Sequence, residues 1–167
     1  MSKQIRTLVF TALFAALIFV STWVIHIPFF AGNGYVHVGD VFIYVAASLL
    51  PLPYAMVAAA FGGAMADLAS GYAIYIIPTL IVKVLLTLSF SNKKDRILTP
   101  RNLIACGIGA LITVVGYLLA ELLLYGPVGC LATIPGNAVQ GIGSALLFVV
   151  IGAALDAAKL KTRFLDK

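Results

Sequence analysis

A bundle of six membrane-crossing α-helices with both ends on one side is the fold this sequence predicts, and three observations predict it. The 167 residues are 62% hydrophobic and only 10% charged, whereas soluble domains carry about 25% charged residues. The apolar residues fall into six runs, each closed by proline, glycine or a charged cluster. The lysines and arginines gather on alternate connections, as a chain weaving through a bilayer requires.

The expected helices cover residues 5–26, 38–50, 54–69, 72–90, 102–125 and 131–158 of a single integral membrane domain, 1–167. A crossing needs about 20 apolar residues. The first run ends at IHIPFF, where Pro28 blocks continuation. Its opening, MSKQIRTLVF, begins like a signal peptide, but the run passes Val20 without a small-residue cleavage site, so a retained helix is expected. The second run leads into LPLP, residues 50–53, and the third stops at ASGY, where Gly71 supplies a helix end. SNKKDR breaks the fourth, GPVG closes the fifth, and the polar tail KLKTRFLDK follows the sixth. Runs two and three are short. Residues 38–50 would cover only about 20 Å as a helix, so either they tilt and thin the bilayer or LPLP lies below the surface under another protein.

Lys3 and Arg6, then Lys93, Lys94, Arg96 and Arg101, then Lys159, Lys161, Arg163 and Lys167 all fall on one face of this arrangement. The three opposite connections carry no lysine or arginine. The asymmetry places both termini in the cytoplasm and accounts for the net charge of +5 without a nucleic-acid partner. Cys106 and Cys130 have neither metal-ligand spacing nor a CxxC motif; they read as packing residues, with a disulfide between them left open.

Subtracting the cytoplasmic charges leaves a short polar set. Asp40, Asp67, Glu121, Asn137 and Gln140 come from four different runs yet map to the outer half, with Tyr35, Tyr72, Tyr75 and Tyr125 at the same level. Lys83 lies deeper, as a floor, and is expected to pair with Asp40, Asp67 or Glu121. A charge at mid-helix costs about 2.5–3.5 kcal/mol or more, so such groups persist by pairing or by lining a polar cavity. The stretch GYVHVGD reads as the rim: Gly34 and Gly39 for tight turns, Asp40 at a helix N-terminus, and Tyr35 and His37 as a cover. Tyr35, His37, Asp40, Asp67, Tyr72, Tyr75, Lys83, Glu121, Asn137 and Gln140 are therefore the candidate substrate-binding residues of a pocket opening outward. Taken singly, the tyrosines read as interfacial anchors, the acids as helix ends in headgroup water, and the amides as links between helices.

Nothing in the chain points to catalysis. GxxxxGK, HExxH and GxSxG are absent from the sequence, and neither a cofactor nor a metal is called for. Uptake against a gradient then needs energy from another subunit or an ion. Ala12 and Ala16, with Ala15 between them, make a small-residue face suited to docking a partner helix, whereas Gly62 with Ala66 and Gly116 with Ala120 read as internal contacts.

Four stretches, YVHVGDVFIYVAA, GGAMADLASGY, PTLIVKVLL and IPGNAVQGIGSAL, together resemble the substrate-binding S components of energy-coupling factor (ECF) vitamin transporters. The likeness is to the riboflavin-type branch, which includes hydroxymethylpyrimidine and pyridoxine carriers, and it runs along nearly the whole chain. The resemblance implies a transmembrane coupling subunit, two cytoplasmic ATPase subunits, and capture of a small vitamin from outside a bacterial cell membrane, followed by toppling to release it inward. It assigns partner contact to Ala12 and Ala16 and the pocket to Tyr75, Lys83, Glu121, Asn137 and Gln140. The nickel and cobalt S components are set aside, because their Met-His hook is replaced here by Met-Ser-Lys. Pyridoxine or hydroxymethylpyrimidine is the expected ligand, with riboflavin and thiamine-like compounds also open. Two other classes stay compatible: a proton-coupled transporter relaying through Asp67, Lys83 and Glu121, and a structural subunit in which the polar ring only joins helices.

Overall fold

The computed structural model describes residues 2–28 and 35–165; its regular structure is helical apart from one small hairpin. Helix α1 spans Lys3–Val24, and its interior contains neither glycine nor proline. The Ser2 hydroxyl caps it by accepting the Ile5 N–H at 3.3 Å. Thr11 and Ser21 return their hydroxyls to carbonyls four residues back, at 2.8 and 2.5 Å, so these polar groups sit in an apolar helix without an unmet hydrogen bond. The hairpin follows: β1 (His26–Pro28) pairs antiparallel with β2 (Tyr35–His37), placing His26 opposite His37.

Next come α2 (Gly39–Leu49), α3 (Leu52–Ala69), a 3₁₀ turn (Ala73–Tyr75) and α4 (Ile76–Ser89). Gly71 ends α3 with φ 81°, which lets the Tyr72 N–H reach back to the Asp67 carbonyl at 2.8 Å. Then α5 runs from Pro100 to Ala157, and α6 spans Leu160–Leu165. The Thr99 hydroxyl caps α5 by accepting the Asn102 N–H at 3.2 Å.

The 58 residues of α5 are broken only at Gly126, with φ 74° and ψ −176°. The helix folds back there. Thr133 hydrogen-bonds Glu121, and Gly141 packs against the Ala110 backbone, so the arms 100–125 and 127–157 are antiparallel. The loop expected at 126–130 shrinks to one residue, because Pro127 occupies the first position of the second arm, where its missing N–H leaves no bond unmade. Three helices, Lys3–Val24, Leu52–Ala69 and Pro100–Ala157, are long and apolar enough to cross a membrane; Gly39–Leu49 and Ala73–Ser89 are apolar but shorter.

The shortness of α2 has an internal reason. Val41, Ile43, Tyr44 and Ala46 are fully buried, and α1, α3, α4 and α5 all pack around it. Its own bundle sheathes most of α2, so its length need not match the bilayer; of the LPLP turn, Leu50 is buried and Pro51, Leu52 and Pro53 are exposed. Tyr44 anchors the core, stacked on Phe90 at 4.5 Å and edge-on to Phe148 at 5.8 Å.

The turns gather at two ends of the bundle. At the end holding the start of α1, Asn102 Nδ2 reaches the Ser91 and Ile97 carbonyls at 3.0 and 2.9 Å. Asn92 donates to the Leu50 carbonyl at 2.8 Å. Asp156 accepts the N–H groups of Ile97 and Leu98 at 2.7 and 2.9 Å. The opposite end holds the hairpin, Gly126 and the site described next.

Candidate substrate-binding site

Asp40 stands in the first turn of α2, where the helix dipole favours a carboxylate. It is fully buried, with Lys83 of α4 at 2% exposure and the two joined at 2.6 Å. Its other oxygen accepts from Gln140 Nε2 at 3.0 Å, so both carboxylate oxygens are engaged, as a buried charge requires. Gln140 also accepts the His37 backbone N–H at 2.6 Å. One amide on the second arm of α5 therefore holds the hairpin onto the start of α2.

The hairpin is seated tightly. His37 Nδ1 accepts the Gly39 N–H at 3.0 Å, and a Cβ at Gly39 would meet Thr22 Oγ1 at 1.8 Å. Gly39 thus permits close approach to α1 rather than the turn expected of it, and its φ is not positive. Gly34 lies outside the described residues.

A second carboxylate, Glu121 near the end of the first arm, is buried. It accepts from Tyr75 Oη at 3.3 Å, from Asn137 Nδ2 at 3.3 Å, and from the Thr133 hydroxyl in a short contact. Tyr75 in turn has the rings of Tyr72, Tyr117 and Tyr125 around it, each 6.3 Å away between centroids, within the range of favourable aromatic pairs. Lys83 Nζ lies 5.4 Å from the Tyr117 ring centroid, a cation–π distance. Thr79 and Tyr117 join hydroxyls at 3.1 Å. Gly63 makes room on α3, since a Cβ there would meet Thr79 Cγ2 at 2.9 Å.

These side chains surround a concavity of about 490 Å³ counting its open mouth, the kind of place that small-molecule sites occupy. His37, Asp67, Tyr72, Tyr75, Lys83, Glu121, Asn137 and Gln140 line it, so eight of the ten residues singled out in the sequence meet at one cavity. Asp40 sits behind the wall, bonded to Lys83 and Gln140. The side chain of Tyr35 lies outside the described residues. Thr22, Gly63, Thr79 and Tyr117 complete the lining and were missed. Tyr117 carries a readable signal, because it precedes Glu121 by one helical turn and shares its face.

The wall can donate and accept at fixed points and stack an aromatic ring: carboxylates and amides from α3 and both arms of α5 surround a group of tyrosines. On the outside of the bundle, Ala12 and Ala16 are exposed and Ala15 is half-buried. They line a shallow apolar groove, about 910 Å³ counting the open space over it, with Val57, Phe61 and Met65 of α3. A Cβ on Gly62 would meet the Ala15 carbonyl at 2.7 Å, and one on Gly116 would meet Val82 at 2.6 Å, so both of those glycines serve contacts inside the bundle.

Two comparisons bear on this arrangement. A family model described as the S component of ECF-type riboflavin transporters matches residues 2–157. A Pyrococcus woesei protein, described as an uncharacterized protein in the gap 3' region, is 30% identical over 139 residues, covering 81% of this chain and 89% of its own length.

Proposed function

We propose that this chain, which belongs to the S-component family of ECF-type riboflavin transporters, captures its vitamin in the cavity between Lys83, Glu121 and Gln140. As a family member it is a non-enzymatic, substrate-binding integral membrane subunit. The observation that carries the assignment of the pocket is the convergence of α1, the hairpin, α3, α4 and both arms of α5 on one polar cavity at a single end of the bundle. In this reading α1, α2, α3, α4 and the two arms make six crossings, both termini are cytoplasmic, and the cavity faces outward.

The ligand we propose is a compact aromatic heterocycle bearing hydroxyl and ring-nitrogen groups. Tyr75 and its neighbours offer ring faces, while Asp67 and Glu121 accept from hydroxyl or protonated nitrogen and Asn137 supplies an amide. Pyridoxine or hydroxymethylpyrimidine is favoured on this chemistry, with riboflavin the main competitor. The driving force comes from a transmembrane coupling subunit and two ATPase subunits, docked on Ala12 and Ala16.

Calorimetric titration of the purified chain with riboflavin, pyridoxine, hydroxymethylpyrimidine and thiamine tests the assignment. Saturable one-to-one binding of one compound, lost on substitution of cavity residues, supports it. Folded protein that binds none of them sinks it.

A further inference from the structure

Asp40 and Glu121 are held in different ways. Asp40 is paired with an ammonium at 2.6 Å. Glu121 is 3% exposed and is held by neutral donors: the hydroxyls of Tyr75 and Thr133 and the Asn137 amide. Among the described residues no lysine, arginine or histidine lies within ion-pair distance of it. A buried carboxylate without a cation beside it is costly, and Glu121 sits in a helix apolar enough to cross a membrane.

Its two oxygens are not used alike. Oε2 accepts from Thr133 and Asn137, whereas Oε1 accepts only from Tyr75, at 3.3 Å. A carboxylate oxygen has two lone-pair sites, so Oε1 can take one further donor. Tyr75 lines the cavity and Thr133 does not, which puts that remaining position on the ligand's side.

The surroundings suit a positive charge. The rings of Tyr72 and Tyr117 stand at 74° and 51° to that of Tyr75, so the three lining rings are turned to one another as the walls of an aromatic cage are. Tyr117 already faces one ammonium, Lys83 Nζ at 5.4 Å. That ammonium does not balance Glu121, because Asp40 holds it. Asp67 is the other carboxylate of the lining, so with Asp40 included three acids gather around a single lysine.

We infer that the cavity selects a ligand with positive charge on nitrogen, an ammonium or protonated ring nitrogen that donates to Glu121 Oε1 and lies against the rings of Tyr72 and Tyr75. The inference rests on the cavity being the vitamin site. Such a group completes Glu121 as Lys83 completes Asp40. An uncharged ligand would leave the carboxylate buried without a cation, and a phosphorylated one would add an anion to the acids.

The test is calorimetry on the purified full chain at neutral pH with matched pairs: pyridoxamine against pyridoxine, and aminomethylpyrimidine against hydroxymethylpyrimidine, with riboflavin alongside. Each pair shares its ring and exchanges an ammonium for a hydroxyl. The ammonium member should bind about tenfold more tightly, the gain of a charged donor over a neutral one. Glu121→Gln should erase that ratio, while Gln140→Ala should weaken both members alike and keep it. The ratio in the unmodified chain decides the matter by itself, so a variant that fails to fold leaves the test intact. Equal or tighter binding of the hydroxyl members, or saturable binding of riboflavin alone, would overturn the inference while the vitamin pocket stands. So would a ratio retained by folded Glu121→Gln. Binding of none of these compounds would overturn the pocket and the inference together.

Discussion

Gln140 Nε2 donates to Asp40 Oδ2 at 3.0 Å across 100 residues of chain. Because the same side chain accepts the His37 N–H and lines the cavity, it joins the hairpin, α2 and the ligand space. Gln140→Ala should weaken vitamin binding ten- to hundredfold, about 1–3 kcal/mol for a buried hydrogen-bonding group. Calorimetry reads this directly, and unchanged affinity would take Gln140 out of the pocket.

The Asp40–Lys83 pair should show strong coupling. Asp40→Asn or Lys83→Met alone leaves an uncompensated buried charge and should cost about 3–5 kcal/mol of stability. The double variant should recover much of that loss, since removing both charges together is often close to neutral. Thermal unfolding in detergent completes the cycle; additive losses would mean that the two residues do not support one another.

Glu121 separates a binding pocket from a purely structural ring. Three donors converge on its carboxylate, and Glu121→Gln turns one acceptor into a donor facing donors. Vitamin affinity should fall at least about tenfold alongside the melting temperature. A lower melting temperature with affinity intact would favour the structural role.

Gly126 and Gly143 make a matched contrast, since a Cβ added at either would meet no atom within 4 Å. At Gly126 the φ of 74° with ψ −176° is a conformation essentially confined to glycine, so Gly126→Ala should cost about 1–3 kcal/mol. Gly143→Ala, within a regular arm, should be neutral or stabilise by up to about 1 kcal/mol. Equal melting temperatures for the two variants would show that the fold-back does not depend on Gly126.

Docking on α1 predicts a clean separation of functions. Ala12→Leu or Ala16→Leu should leave vitamin affinity unchanged and abolish transport by the assembled complex. Loss of binding with assembly intact would move the partner surface elsewhere.

Much of this was legible because proline, glycine and charge punctuate the apolar runs, so the polar groups near each run's outer end could be ranked by depth. What escaped was tertiary. An all-apolar stretch such as residues 41–47 reads the same whether lipid or protein covers it, so the burial of α2 could not be read. Gly39 looked like a turn residue because the reason for it, Thr22 Oγ1, lies on another helix. GPVG looked like a loop because Gly and Pro are ordinary breakers, yet Pro127 starts the second arm. Tyr117 and Thr79 carry no charge to set them apart, and only their spacing of one helical turn from Glu121 and Lys83 marks their faces.

The Asp40–Lys83 pair also has an electrical meaning. An elementary charge moved through the membrane field exchanges about 2.3 kcal/mol per 100 mV. A pocket that changes sides with this carboxylate and ammonium bonded carries them across as a dipole of zero net charge, and the resting voltage does almost no work on them. In the proposed reading, the voltage sensitivity of uptake then falls to the other charges of the moving body and to the charge of the vitamin itself.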